Sequence, residues 1–420
     1  MNILHCIPGQ DVQLLQQTQA FDLFARKTPG IENCVLTEKS AEPLLRGCEG
    51  IEQIYSRKTL RSGTGKAFRR IVSEKSVDIV HIHSFADIFS WRVCRMAKAM
   101  RIPVVFSPHN RMTPWHLDSC TPLARYSRLL IAHILLRPAF TAILTESVQE
   151  EKYMQKLSAK HLEKSNRLSV ISRLKDFGDG TDDAPRFYGG YAALYRKVID
   201  SNPFWLMSEE DRHAENALLT VGAIQQSGNS TDSVYLPIED IRAEAEALSA
   251  EHWRRIQLHS SDQGILQAVT EAYRTLTGSN ETLDTASVDR YSVVKRDKEM
   301  DTAVPYIRKA KMHQIAEDYS EYAKERQLCV MLLNVKHLLA VGELSRKHLA
   351  DLYTAVRFND YNEFVMEEIL SDAGILGFGS KIFSILADTM FLEPGYVPVT
   401  LTDKERTKKI RKKLFKSKLL

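Results

Sequence analysis

The sequence predicts an α/β protein: a mostly parallel sheet in the N-terminal part, followed by a mainly helical remainder. Three observations carry this. Short β-branched runs, such as Val77-Asp78-Ile79-Val80-His81-Ile82-His83-Ser84 and Arg101-Ile102-Pro103-Val104-Val105-Phe106-Ser107-Pro108-His109-Asn110, are separated by helical stretches, which is the rhythm of βαβ units. These runs are continuously apolar, as strands covered on both faces are, and they end in polar residues, where open α/β sheets collect ligands. Beyond Lys175 strand-like runs give way to one amphipathic helical stretch after another.

In chain order, strands are expected at residues 3–7, 34–37, 79–83, 104–106, 142–144 and 168–171. A helix is expected at 12–24, another where Phe68, Ile71 and Val72 fall at i, i+3, i+4, and a third at 88–100. Ser147-Val148-Gln149-Glu150 is a capping box, so a helix should begin directly after the strand at 142–144. The Gly-, Asp- and Pro-rich stretch 176–185 reads as a linker. Further helices are expected at 191–198, 238–249, 262–276, 328–339, 349–356 and 361–370, with Ile315, Tyr319, Tyr322 and Ala323 as another amphipathic stripe. The expected organisation is a sheet domain at 1–175, a linker and helical connection at 176–235, a helical domain at 236–402 and a basic tail at 403–420.

A chain of 420 residues, 44% hydrophobic and 26% charged, has the composition of a soluble protein of two or three domains. No basic stretch followed by an apolar segment opens the sequence, so a cytoplasmic location is expected. The most apolar window, 129–144, is interrupted by His133, Arg137 and Pro138 and falls short of the ~20 apolar residues that span a bilayer. Six cysteines, at 6, 34, 48, 94, 120 and 329, form no C-x-x-C pair, which argues for reduced thiols rather than a disulfide framework or a zinc site. Four scattered tryptophans lack the basic and aromatic interleaving of a nucleic-acid platform. Ser62-Gly63-Thr64-Gly65-Lys66-Ala67 lacks the first glycine and the final Ser or Thr of a phosphate-binding P-loop. The chain's net charge of +4 is unevenly spread: residues 403–420 hold nine Lys or Arg against two acids, a balance of +7 that leaves −3 elsewhere. With Ile410, Leu414 and Phe415 at i, i+4, i+5, that tail could lie on an anionic membrane surface; a solvated terminus reads equally well.

The candidate binding residues sit at expected strand tips. His83, Ser84 and Ser107 end their strands, and Arg111 in the following loop could pair with phosphate. Gly9, in the loop after the first strand, would let backbone N–H groups approach an anion, although Asp11 nearby opposes that charge. His81 and His83 share one strand face but lack a third ligand nearby, so no metal site is expected.

The segments VDIVHIHS, RIPVVFSPHN and AFTAILTESVQEEKYM (residues 139–154), in this order and spacing, resemble the N-terminal, acceptor-side domain of GT-B glycosyltransferases of the family-4-like group. The resemblance covers roughly the first 175 residues. It implies a Rossmann-like fold, a nucleotide-sugar donor as co-substrate without other cofactor or metal, and a glycan or lipid-linked acceptor. His109 falls where that group has a histidine that contacts the sugar at the reaction centre, which makes it the catalytic candidate; the Gly9 loop falls where the group faces the donor diphosphate. The group's second Rossmann-like domain, with its E-x7-E element, has no counterpart: Glu317 and Glu325 match the spacing but lie on a charged helical face. Two functions follow as expectations. One is sugar transfer; the other is a non-catalytic, degenerate transferase that binds glycans or acts as a scaffold, with the helical domain as a surface for a protein partner.

Overall fold

The computed structural model describes residues 1–16, 21–25, 27–57, 64–83, 88–135, 142–165, 170–173, 184–231, 234–290, 306–341 and 343–414. The chain divides into two units, Met1–Leu206 with Asp289–Lys295, and Met207–Val288 with Arg296–Leu419.

The first unit runs β1 (Asn2–Cys6), α1 (Gly9–Leu15), α2 (Asp22–Ala25), β2 (Glu32–Glu38), α3 (Glu42–Leu45), β3 (Ile51–Arg57), α4 (Thr64–Lys75), β4 (Ile79–His83), α5 (Ile88–Ala99), β5 (Val104–Ser107), α6 (Pro114–Asp118), α7 (Pro122–Leu135), β6 (Ala142–Thr145), α8 (Val148–Ser165), β7 (Val170–Arg173), α9 (Ala184–Asp200) and α10 (Pro203–Leu206). The seven strands form one parallel sheet in the order β3-β2-β1-β4-β5-β6-β7. Connections run outward in opposite directions from β1 and β4, so the crevice beyond their carboxyl ends is the place where such sheets bind ligands.

Strand periodicity of two sorts the core into two layers. Ile3, Ile7, Val35, Ile79, Val105, Ala142 and Leu144 face one side and pack with Val12, Phe24 and the α9 residues Tyr191, Leu194, Tyr195 and Val198. Leu4, Cys6, Cys34, Leu36, Val80, Ile82, Val104, Phe106 and Ile143 face the other and pack with Phe68 and Ile71 of α4 and Val93 and Ala97 of α5. Apolar side chains on both faces explain why the strands read as continuous apolar runs. The sequence misses β3 because its segment Ile51-Glu52-Gln53-Ile54-Tyr55-Ser56-Arg57 is half polar, as suits an edge strand. The helix expected at 12–24 is instead two short ones, α1 and α2. Packing of α9 on the sheet carries the first unit to Leu206, beyond the boundary expected at 175. The linker stretch 176–183 lies outside the described residues.

The second unit contains α11 (Glu209–Gln226), α12 (Ile238–Glu246), α13 (Ala250–Gln263), α14 (Leu266–Thr277), α15 (Tyr306–Asp318), α16 (Ala323–Val341), α17 (Arg346–Arg357), α18 (Glu363–Asp372), α19 (Leu376–Met390), a 3-10 turn at Pro394–Tyr396 and α20 (Lys404–Leu414). No strand occurs among its described residues. Within the stretch expected to be a connection, α11 is a core helix: its Leu218 and Ile224 are fully buried, and Ser208 and Asp211 form a reciprocal cap at its start. The helix expected at 262–276 is split, because Gly264 adopts φ +70° and closes α13 before α14 begins. The stripe from Ile315 to Ala323 is broken by a turn at 319–322. Glu317 and Glu325 fall on different helices, and Glu325 is buried, accepting from the Asn362 backbone N–H at 2.9 Å.

The basic tail is folded back rather than free over its described length. Thr407 of α20 is buried, Ile410 packs against the helical core and Arg411 pairs with Asp388 of α19. Ile410, which would face a leaflet if the tail lay on a membrane and water if the tail were free, faces this unit instead, while Arg406, Lys408 and Lys409 remain exposed. Phe415 lies outside the described residues. Among those described, no helix is long and apolar enough to cross a membrane.

Two predictions follow for the helical unit. Gly222 of α11 lies so close to α14 that an added Cβ would meet the Ala268 carbonyl. Gly222→Ala should lower stability by about 1–3 kcal/mol through overpacking, read as a lower urea midpoint; an unchanged midpoint would contradict the close approach. Nearby, the fully buried Glu215 accepts from His259 Nδ1 at 2.7 Å and Ser260 Oγ at 3.0 Å, with Arg346 Nη1 3.1 Å from its second oxygen. Burial alone would raise its carboxyl, but the His259 and Arg346 charges and the hydrogen bonds outweigh it and bring it down to about 2. A depressed carboxyl contributes stability above the unfolded value of 4.5, which should be lost as pH falls from there towards about 2. Glu215→Gln should flatten that stretch of a stability-against-pH curve and destabilise the neutral-pH fold by about 3 kcal/mol, because it leaves buried cations unpaired.

Candidate functional site

At the carboxyl ends of the central strands, polar residues of four strand segments converge on the α9 side of the sheet. His5 on β1 pairs in register with His81 on β4, and His83 pairs with Ser107 on β5. By the same alternation Asn33 of β2 lies on this face. His5, Asn33, His81, His83 and Ser107 are all essentially inaccessible to solvent. Just beyond β5, His109 and Asn110 take φ +52° and +61°; such consecutive left-handed residues cost about 1–3 kcal/mol each and mark sites where the surroundings impose the conformation.

The imposing contacts are clear. His109 Nδ1 lies 2.6 Å from Oε1 of Glu146, which follows β6, and its Nε2 lies 3.0 Å from His83 Nδ1, with the two rings stacked. Asn110 Nδ2 donates to the other Glu146 oxygen at 3.2 Å. Inward, His83 Nε2 is 2.8 Å from His5 Nδ1, His5 Nε2 is 3.0 Å from Asn33 Oδ1, and Asn33 Nδ2 donates to the Gly50 carbonyl at 3.1 Å. Phe24 sits edge-on against His5. A side branch ties His81 to Tyr195 Oη at 2.6 Å and to Ser107 Oγ at 2.7 Å.

Beneath the loop, Glu150 accepts from the Met112 backbone N–H at 3.2 Å and from that of Glu146 at 3.4 Å, and burial raises its carboxyl above the usual range. The expected capping box is thus half realised. Ser147 Oγ does accept from the Glu150 N–H at 3.2 Å, but the Glu150 carboxylate secures the loop after β5 and the end of β6.

The candidate residues occupy distinct places. His83 and His109 are in direct contact. His83 and Ser107 lie beneath the surface with their polar atoms engaged. Gly9 packs where an added side chain would collide with Glu38, so a carboxylate occupies the space beside it. Arg111 pairs with Asp11 of α1, both largely buried. Ser84 lies outside the described residues. His5, Asn33, Glu146, Glu150 and Tyr195 were not singled out from sequence. Glu146 could have been, since it directly follows a strand and precedes a helix cap.

His5 supplies the third nitrogen that the pair His81 and His83 lacked: ligand atoms of the three lie within 4.8 Å of one another, a grouping that could hold a metal ion. Every one of their six ring nitrogens is hydrogen-bonded within the protein, so an ion would have to displace those bonds. The 2.8 Å between His5 and His83 is a hydrogen-bond distance, shorter than the spacing of two nitrogens each about 2.0–2.1 Å from a tetrahedral zinc.

Residues 50–162 match the family model described as a glycosyl transferase 4-like domain. The N-terminal unit carries a glycosyltransferase 4-like domain. The matched stretch includes His81, His83, His109, Arg111, Glu146 and Glu150, and leaves out His5, Asn33 and the whole helical unit. No curated protein and no solved structure matches the chain.

Burial sets the protonation of the inner rings of this glycosyltransferase-like protein. Desolvation pulls His5 down from 6.5 to about 4 and holds His81 and His83 well below their ordinary value. Above pH 6.5 these rings are neutral in both folded and unfolded chains. As pH falls from 6.5 towards about 4, only the unfolded chain gains the protons, so the sheet unit should lose stability at up to about 1.4 kcal/mol per pH unit for each ring. Urea unfolding across that range tests this, and pH-independent stability would contradict the neutral, buried cluster.

Proposed function

We propose that the protein transfers a sugar from a nucleotide-sugar donor to a glycan or lipid-linked acceptor, with the sheet unit holding sugar at its strand tips and His109 beside the reacting centre. The contact of His109 with both His83 and Glu146, on a backbone held in the left-handed region, carries this reading. Such pre-set geometry is characteristic of sites that orient a reactant. The Glu146 carboxylate, the most exposed group beside His109, suits hydrogen bonding to sugar hydroxyls, and the reaction needs no bound metal in this reading. The protein acts in the cytoplasm, at the inner face of a membrane when its acceptor is lipid-linked, where Arg406, Lys408 and Lys409 add attraction to anionic headgroups. Titration with uridine- and guanosine-diphosphate sugars, coupled to a hydrolysis and transfer assay, tests it. His109→Ala should keep the fold and reduce turnover at least about a hundredfold. Absence of both binding and turnover with every common donor would reject the reading.

A second reading has its own support. No strand follows β7 among the described residues, so a second Rossmann-like sheet to hold the donor diphosphate is missing there. In this reading the chain binds glycan without transferring it, and a protein partner docks on the helical unit. Sugar binding without turnover by the purified chain selects it.

A further inference from the structure

The hydrogen-bond directions in the histidine file can be assigned from one end to the other. Asn33 donates through Nδ2 to the Gly50 carbonyl, so its Oδ1 faces His5 and must accept. His5 therefore carries its proton on Nε2 and accepts on Nδ1, which makes His83 Nε2 a donor and His83 Nδ1 an acceptor. His109 must then donate to His83 through Nε2. A neutral His109 with that proton would present a bare Nδ1 lone pair to the Glu146 carboxylate at 2.6 Å, a contact between two acceptors. An additional proton has to lie between Nδ1 and Oε1. Both ring nitrogens of His109 are consequently occupied, and its side chain is only 9% exposed, whereas that of Glu146 is 28% exposed.

We propose that Glu146 is the ligand-facing group of this site, a carboxylate that accepts from a sugar hydroxyl, and that Asn33, His5 and His83 are positioning residues whose one-way file keeps His109 doubly protonated against it. The carbohydrate ligand rests on the reading above; the proton order does not. On sugar binding the free lone pairs of Glu146 accept the hydroxyl hydrogen, and His109 balances the carboxylate charge without leaving His83. Buried partners beneath it hold the imidazolium in a single orientation, as oriented second partners do for other functional histidines.

Long-range proton–nitrogen spectra of the full chain, labelled at histidine, at neutral pH and without ligand, test the file. The expected pattern is a proton on Nε2 alone for His5 and His83, and on both nitrogens for His109. A singly protonated His109, or a proton on Nδ1 of His5, overturns it. In Glu146→Gln the amide can donate to Nδ1, so His109 should lose one proton while His5 and His83 keep theirs and the melting temperature holds. An unchanged His109 signal there also overturns the proposal. Sugar affinity should fall at least tenfold in Glu146→Gln, and equal affinity removes Glu146 from the ligand contact. If the unsubstituted chain binds no nucleotide-sugar or free sugar at all, the carbohydrate reading fails and the ligand role of Glu146 with it, while the spectra judge the file on their own.

Discussion

One continuous line of hydrogen bonds, running across neighbouring segments from Asn33 through His5, His83 and His109 to Glu146, constrains the rest of the sheet unit. Imidazoles taken out of water are costly unless each nitrogen finds a partner, and a polar network that is only partly satisfied is worse than an apolar core. Here the partners come from β2, β1, β4 and the segments after β5 and β6, which are adjacent in the sheet. A one-residue slip of any of the contributing strands would move its polar side chain to the opposite face, among Leu4, Val80 and Phe106. The network thus specifies register as well as holding the site.

Much of the sheet unit was legible because its physics is local. Strands buried on both faces are mainly apolar, and six of the seven announced themselves in that way; β3, with a polar sequence at the edge, did not. That His83 and His109 stand at strand tips was legible too, since both follow from where strands end; their direct contact was not. What could not be read was the continuation of the file. His5 and Asn33 look like ordinary polar residues within strands until β1 and β2 are known to lie next to β4, and that adjacency is a property of topology, not of any short segment. Tyr195 was hidden for the same reason: α9 comes after the stretch that reads as a linker, yet it covers the sheet. In the helical unit, the split between α13 and α14 turned on Gly264, whose single left-handed backbone outweighed an otherwise unbroken amphipathic pattern.

The electrostatics of the strand tips narrows which part of a sugar-transfer reaction they could serve. Glu38 lies against Gly9, Asp11 pairs with Arg111, and Glu146 lies 2.6 Å from His109 Nδ1. Arg111, the cation expected to meet a phosphate, is already paired with a carboxylate, and the most accessible group of the file is itself a carboxylate. An edge of this character attracts hydrogen-bond donors such as sugar hydroxyls and offers little to a phosphate, which needs unpaired cations or a cluster of backbone N–H groups. Stabilising the charge of a departing diphosphate therefore falls to groups outside this cluster. The same reasoning separates the two proposed functions at the level of chemistry: recognising a glycan asks only for a hydroxyl-binding edge, whereas transfer also demands a positively charged element.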